Sequence, residues 1–152
     1  MTTAFRPVES YVPHRGAMLL IDRLLDAGPT HAVAEVTVPA DGLFVQDGRM
    51  PGWVGLEYMA QAISAWSGVR HTEAGGTPRL GMLLGTRRYQ AQVPDFAAGS
   101  VLRIEVQQEF VGDNGLGMFA CRILQQGDEV ATARLSIYEP EDGASILKGQ
   151  TS

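Results

Sequence analysis

Between Pro51 and Val69 the chain carries a single charge, Glu57. At helical spacing its side chain shares a face with Gln61 and Ser64, a polar stripe on an otherwise apolar segment. An apolar setting of that kind is what tunes a carboxylate to take or give a proton near neutral pH. The same residue also falls near the N-terminus of the segment, where a negative charge simply favours the helix dipole. Spacing leaves both readings open. The three histidines are scattered: His14 in a Val-Pro-His-Arg-Gly run, His31 in an alternating segment, His71 at the end of the helical one. None has ligand spacing to a second histidine or a carboxylate pair, so no metal site is expected. His31 and His71 read as solvated, and His14 as either a structural histidine or a proton-transfer group. Arg87 and Arg88 read as a solvated strand end or, in an acidic protein, as a dock for a phosphate or acidic carrier. No Gly-x-Ser-x-Gly elbow, P-loop or Gly-x-Gly-x-x-Gly run is present.

These groups must be held by larger elements. Pro51 suits a first helical turn, where a missing N–H costs nothing, and Trp53 to Arg70 is filled with good helix formers. Trp53, Leu56, Ala60 and Ile63 form one apolar stripe and Gly55, Met59, Ala62 and Trp66 another, which predicts a helix buried on nearly all sides. Ahead of it, Ala17 to Asp26 is a short apolar run closed by Gly28-Pro29, and Thr30 to Val38 alternates with a period of two. A Gly-rich loop, His71 to Pro78, precedes four strands: Leu80 to Gln90, Val101 to Phe110, Leu116 to Leu124 and Val130 to Tyr138. Gly112-Asp113-Asn114-Gly115 and Gly127-Asp128 are the turn signals between the last three. Two strands, one helix and a four-strand meander predict an α+β fold, an antiparallel sheet of five or six strands around one long helix. One helix covers one sheet face, which calls for an oligomer. Thr2 to Arg15, with Pro7 and Pro13, is expected to wrap the surface, and residues 139–152 to form a flexible tail.

With 152 residues, 45% of them hydrophobic and 19% charged, the chain fits a single globular domain, 1–152, rather than a disordered polymer. A net charge of -5 argues against nucleic acid as a partner. One cysteine, Cys121, allows neither an intramolecular disulfide nor a thiolate metal cluster. The helical stretch is too polar for a lipid-facing span. Met1 to Ser10 has no apolar signal-peptide core, so a cytoplasmic protein is expected.

Two segments carry a family likeness. Val12 to Leu25, VPHRGAMLLIDRLL, resembles the Pro-His-Arg…Leu-Leu-X-Asp-Arg opening of the FabZ-type 3-hydroxyacyl-acyl-carrier-protein dehydratases. Met50 to Ala62, MPGWVGLEYMAQA, resembles their Met-Pro-Gly…Glu-Ala-Met-Ala-Gln helix, and Gly85 to Leu102 is a fainter echo of their Pro-Gly-Asp strand. GWVGLEYMAQAISAWSG and LGMLLGTRRY are similar to the dehydratase-like proteins of aryl-polyene pigment clusters. The likeness spans residues 11 to 138, the expected core. It implies a hotdog fold paired as a homodimer or heterodimer, acting without a cofactor on fatty-acid or polyene intermediates. These are 3-hydroxyacyl groups on the phosphopantetheine arm of acyl carrier protein, the implied partner. Dehydration needs a base for the α-proton, an acid for the departing hydroxyl and donors on the thioester carbonyl. Glu57 matches the family's catalytic carboxylate and Gly52 the glycine whose N–H meets that carbonyl; Gln61, Leu43, Arg87 and Arg88 are further candidate contacts. One departure is large. Gly42-Leu43-Phe44 falls on the family's Gly-His-Phe, so Leu43 stands where the catalytic histidine belongs. Three readings follow: a dehydratase using His14, a non-catalytic or half-catalytic subunit completed by a hotdog partner's histidine, or a hotdog acyl thioesterase in which Glu57 activates water.

Overall fold

The computed structural model describes residues 5–73, 82–112 and 114–138, with backbone alone for Glu73 and residues 82–87. Its centre is one helix, α1 (Val54–Glu73). The helix opens with the Gly55 and Leu56 amides donating to the Gly52 and Trp53 carbonyls at 3.1 and 3.2 Å. Glu57 lies in its first turn and Arg70 and His71 in its last, each on the end of the dipole that favours its charge. Tyr58, Met59, Gln61, Ala62 and Ala65 are fully buried. The near-continuous burial expected from two apolar stripes is present. Trp53 is the exception: it belongs to the turn before the helix and is 59% exposed. His71 lies within α1 rather than starting a loop.

Among the described residues eight strands accompany the helix: β1 (Arg23–Ala27), β2 (His31–Thr37), β3 (Arg49–Pro51), β4 (Met82–Ala91), β5 (Asp95–Ala97), β6 (Val101–Val111), β7 (Leu116–Gln125) and β8 (Asp128–Tyr138). Six form one antiparallel sheet in the order β1-β2-β6-β7-β8-β4. β3 and β5 make a separate two-stranded ladder that the sequence reading did not foresee, and Pro51, expected in the first helical turn, belongs to β3. The expected four-strand meander is therefore corrected. β6, β7 and β8 follow one another through hairpins, but β4 sits beyond β8 at the edge. Alternation of apolar and polar residues tells which face a side chain takes, not which strand lies alongside. The β7–β8 hairpin turns on Gln126 and Gly127, at φ 52° and 85°, one residue earlier than expected. Two successive left-handed residues match the right-handed twist of the flanking strands.

Inward positions of β6, Leu102, Ile104 and Val106, meet the helix, while outward Glu105 reaches Arg122 of β7 at 2.7 Å. The segment ahead of β1 is not a surface wrapping: Val8, Tyr11 and Val12 are buried in the same core. Tyr11's backbone crosses α1 at Gly68, so closely that a β-carbon there would overlap the Tyr11 carbonyl. Trp66 turns its indole N–H to the Gly28 carbonyl at 3.0 Å and meets the Phe119 ring edge-on at 5.3 Å. His31 and His71 are engaged rather than free in solvent. His31 pairs with Asp26 at 3.0 Å, which holds that carboxyl below its ordinary pKa, and His71 Nδ1 lies 2.8 Å from the Ser67 carbonyl. The expected tail, residues 139–152, lies outside the described residues.

Gly68→Ala separates two opposing effects. Alanine gains about 1 kcal/mol of helix propensity over glycine, whereas overpacking costs about 1–3 kcal/mol. Net destabilisation is expected, read as a lower urea midpoint at unchanged slope. A stabilised variant would mean that the Tyr11 crossing is loose.

Candidate active site

Residues 12–22 cross the N-terminal half of α1 and are bracketed to it by one side chain. Gln61 is fully buried, and its Oε1 accepts the Leu20 and Ile21 amides at 2.8 and 3.4 Å. Its Nε2 donates to the Met18 carbonyl at 2.8 Å and to Glu57 Oε1 at 3.2 Å. An amide with two acceptor lone pairs and two N–H donors is thereby fully used. The expected role of Gln61 as a substrate contact is corrected: it holds Glu57, one helical turn away.

Glu57 is less enclosed than expected. Its side chain is 37% exposed. Oε1 is held by Gln61, and Oε2 has no partner among the described residues. His14 Nε2 lies 3.8 Å from Glu57 Oε1, beyond hydrogen-bond length but within ion-pair reach. Arg15 fixes this bend by donating to the Val12 and His14 carbonyls, both at 2.7 Å. His14 Nδ1 is buried without a partner among the described residues. A proton on that nitrogen would be stranded, so the neutral ring favours Nε2–H, with its hydrogen on the Glu57 side. The structure thus brings together two residues 43 positions apart that sequence reading treated separately.

Gly52 does not offer the free N–H expected of it. Its amide donates to the Pro94 carbonyl at 2.9 Å, and its own carbonyl accepts from Gly55 and from the Tyr89 hydroxyl. The fit is nevertheless tight, since a β-carbon would lie 3.0 Å from the Val93 and Pro94 carbonyl oxygens and the neighbouring backbone would have to give by a few tenths of an ångström. The amides of Trp53 and Val54 have no acceptor among the described residues. These are the available donors at the helix N-terminus, where the dipole favours an oxygen bearing negative charge.

Leu43 sits on a loop of left-handed turns, with φ 115° at Gly42, 74° at Phe44 and 53° at Asp47. It is 44% exposed, and it also walls a cavity of about 280 Å³ with Leu19, Asp22, Met50 and Tyr58. Tyr58 is a residue that sequence reading passed over. Its hydroxyl is buried without a partner among the described residues, and burial, then Asp22, pushes its pKa up to about 12. Phe44 meets Trp53 edge-on at 5.2 Å. Exposed Met18, Leu43 and Trp53 give this end of the chain an apolar surface.

Arg88 is not gathered with these groups. It sits at a bulge in β4, at φ 57°, and lines a groove of about 710 Å³ with outward residues Glu105, Arg122 and Arg134. Arg87 pairs through its backbone with Arg134, and its side chain lies outside the described residues. Among the described residues no group of three or more His, Cys, Asp or Glu could hold a metal ion. Burial pushes the Cys121 thiol up to about 12, which removes it as a nucleophile at neutral pH. No described helix is long and apolar enough to cross a membrane.

The model of the ApeP-like family, described as ApeP dehydratase, matches residues 6–148. The dehydratase heterocomplex ApeI:P from Xenorhabdus doucetiae contains a similar chain. It is 36% identical with TM-score 0.87, over 98% of this chain and 100% of that one. The 3-hydroxyacyl-[acyl-carrier-protein] dehydratase FabZ of Bordetella petrii is 28% identical over 146 residues, 89% of this chain and 94% of that protein. Its Shewanella woodyi counterpart is 42% identical over 67 residues, 40% of this chain, a match spanning less than half, 44%, of that relative. The helix and six-stranded antiparallel sheet are those of the hotdog fold. With this fold and a match across nearly its whole length, the chain belongs to the ApeP-like dehydratase family.

Proposed function

We propose that this chain is the carboxylate-bearing half of a dehydratase for 3-hydroxyacyl thioesters, completed by a histidine from a second hotdog subunit. The observation that carries the reading is Glu57 itself. Gln61 orients it, yet Oε2 has no partner among the described residues and the side chain is 37% exposed. Leu43, at the family's histidine position, can wall a pocket but cannot move a proton. The heterocomplex named for the Xenorhabdus relative supports pairing with a different subunit.

In the mechanism the thioester carbonyl sits against the Trp53 and Val54 amides, which stabilise the negative charge that develops when the α-proton leaves. The partner's histidine takes that proton. Glu57, in its acid form, passes a proton through Oε2 to the departing 3-hydroxyl, which leaves as water, while the former C–H electron pair becomes the enoyl double bond. The resulting Glu57 carboxylate is held by Gln61 until a proton returns. No step needs a cofactor. The acyl group would arrive on the phosphopantetheine arm of an acyl carrier protein in the cytoplasm, with Arg88, and Arg87 beside it, as a dock for that acidic carrier.

One observation favours a second reading, an autonomous enzyme. His14 Nε2 is 3.8 Å from Glu57 within the same chain, close enough to share a proton after a small movement. A thioesterase reading predicts a free acid instead of an enoyl thioester.

Glu57→Gln, nearly isosteric, is expected to lower dehydration by the mixed dimer 10²–10⁴-fold, the usual worth of a general acid. Circular dichroism and melting temperature should stay unchanged. Wild-type turnover in this variant would reduce Glu57 to a charge that favours the helix dipole.

The lone chain should be slow and a histidine-bearing partner should accelerate it, with His14→Ala changing the mixed dimer's rate no more than about threefold, well below a general-acid loss. Full activity of the lone wild type, abolished in folded His14→Ala, would transfer the missing role to His14. Mass spectrometry of the product decides the thioesterase case, where release of a free 3-hydroxy acid would overturn dehydration.

A further inference from the structure

Tyr89 has no part in proton transfer, yet it touches the turn that aims the carbonyl donors. From β4 its hydroxyl donates to the Gly52 carbonyl, which also accepts the Gly55 amide at 3.1 Å. Burial pushes the phenol up to about 12, so it remains a donor across the physiological range. Gly55 belongs to the same contact. A β-carbon there would overlap the Tyr89 hydroxyl and come within 3.0 Å of Ile123 Cδ1. Glycine inside a helix costs about 1 kcal/mol relative to alanine, and here its missing side chain is the space that the ring tip fills.

Peptide planarity carries the consequence forward. In a trans peptide the C=O and the N–H of the next residue point in opposite directions. The Gly52 carbonyl is directed at Tyr89 and forward into α1, so the Trp53 N–H is directed backward, out of the helix N-terminus. Gly52 is tied at its other end as well, through its amide to Pro94 at 2.9 Å. A hydrogen bond on a peptide carbonyl also polarises the amide it belongs to, strengthening its N–H by about 10–30%.

We infer that Tyr89 is a positioning residue: acting through the Gly52 carbonyl, its hydroxyl sets the direction and donor strength of the Trp53 N–H toward the substrate's thioester carbonyl. The role rests on the dehydratase reading above, and it belongs to the hydroxyl rather than to the ring. Phenylalanine would fill the same space without tying the peptide.

The test is Tyr89→Phe in the mixed dimer, with wild type and Glu57→Gln alongside. Removing an oxyanion donor outright typically costs 10²–10³-fold in kcat, and loosening one is expected to cost about tenfold, with KM within about twofold. Infrared difference spectra of a bound, unreactive ketone analogue of the acyl-pantetheine thioester give a readout that needs no turnover. Its carbonyl stretch should lie below the aqueous value in wild type and move back toward it in Tyr89→Phe. A lower melting temperature with kcat and the stretch unchanged would mean that Tyr89 is structural only, and would overturn the proposal. If wild type releases a free 3-hydroxy acid instead of an enoyl thioester, the dehydratase reading fails, and the infrared comparison still decides Tyr89. Should Tyr89→Phe not fold, 3-fluorotyrosine at the same position, close in size and a stronger donor, should push the stretch further from its aqueous value. No movement there would overturn the proposal equally.

Discussion

Everything at the reactive end of this protein depends on one buried amide. Gln61 has no water to fall back on, so each of its polar atoms must find a partner inside the fold. It does so by taking three backbone groups from Met18, Leu20 and Ile21 and one carboxylate oxygen from Glu57. A helix, a crossing segment and the Glu57 carboxylate are thus joined through a single side chain. Replacing it with an apolar residue of the same shape would strand backbone groups with no solvent to receive them, each at about 1–3 kcal/mol. Helix position and carboxylate orientation cannot vary independently.

The remaining constraints are steric. Gly68 lets the Tyr11 backbone lie on α1, Gly55 admits the Tyr89 hydroxyl, and Gly52 fits under the Val93 and Pro94 carbonyls. Three absent side chains set the distances from which the helix is approached. The helix N-terminus is consequently held from two sides, by Gly52 to Pro94 and by Tyr89 to Gly52. Rigid placement of this kind is what makes bare backbone amides useful as donors.

Much of this could be read from the residues. The two apolar stripes along the Trp53 to Arg70 segment announced a buried helix, and Val101 to Phe110 was legible as a strand. Glu57 stood out as the lone charge of its segment. What could not be read was anything depending on neighbours far along the chain. The β4–β8 pairing, the β3–β5 ladder and the 3.8 Å approach of His14 to Glu57 all join residues whose local patterns are silent about each other. Gln61 looked like a substrate contact because polarity on an apolar helix has two explanations, function or an internal hydrogen-bond debt. Only the Leu20, Ile21 and Met18 backbone decides between them. Gly52 was read as a carbonyl donor, because nothing local announces the Pro94 carbonyl that claims its amide.

The apolar end formed by Met18, Leu43 and Trp53 reaches beyond chemistry. Such a surface is tolerable when covered and invites non-specific association when bare. Were a second subunit to cover that surface, as proposed above, molecules made in excess of it would be left prone to clump. Selection would then act on dosage as well as on residues, favouring coupled synthesis of the two polypeptides at matched levels.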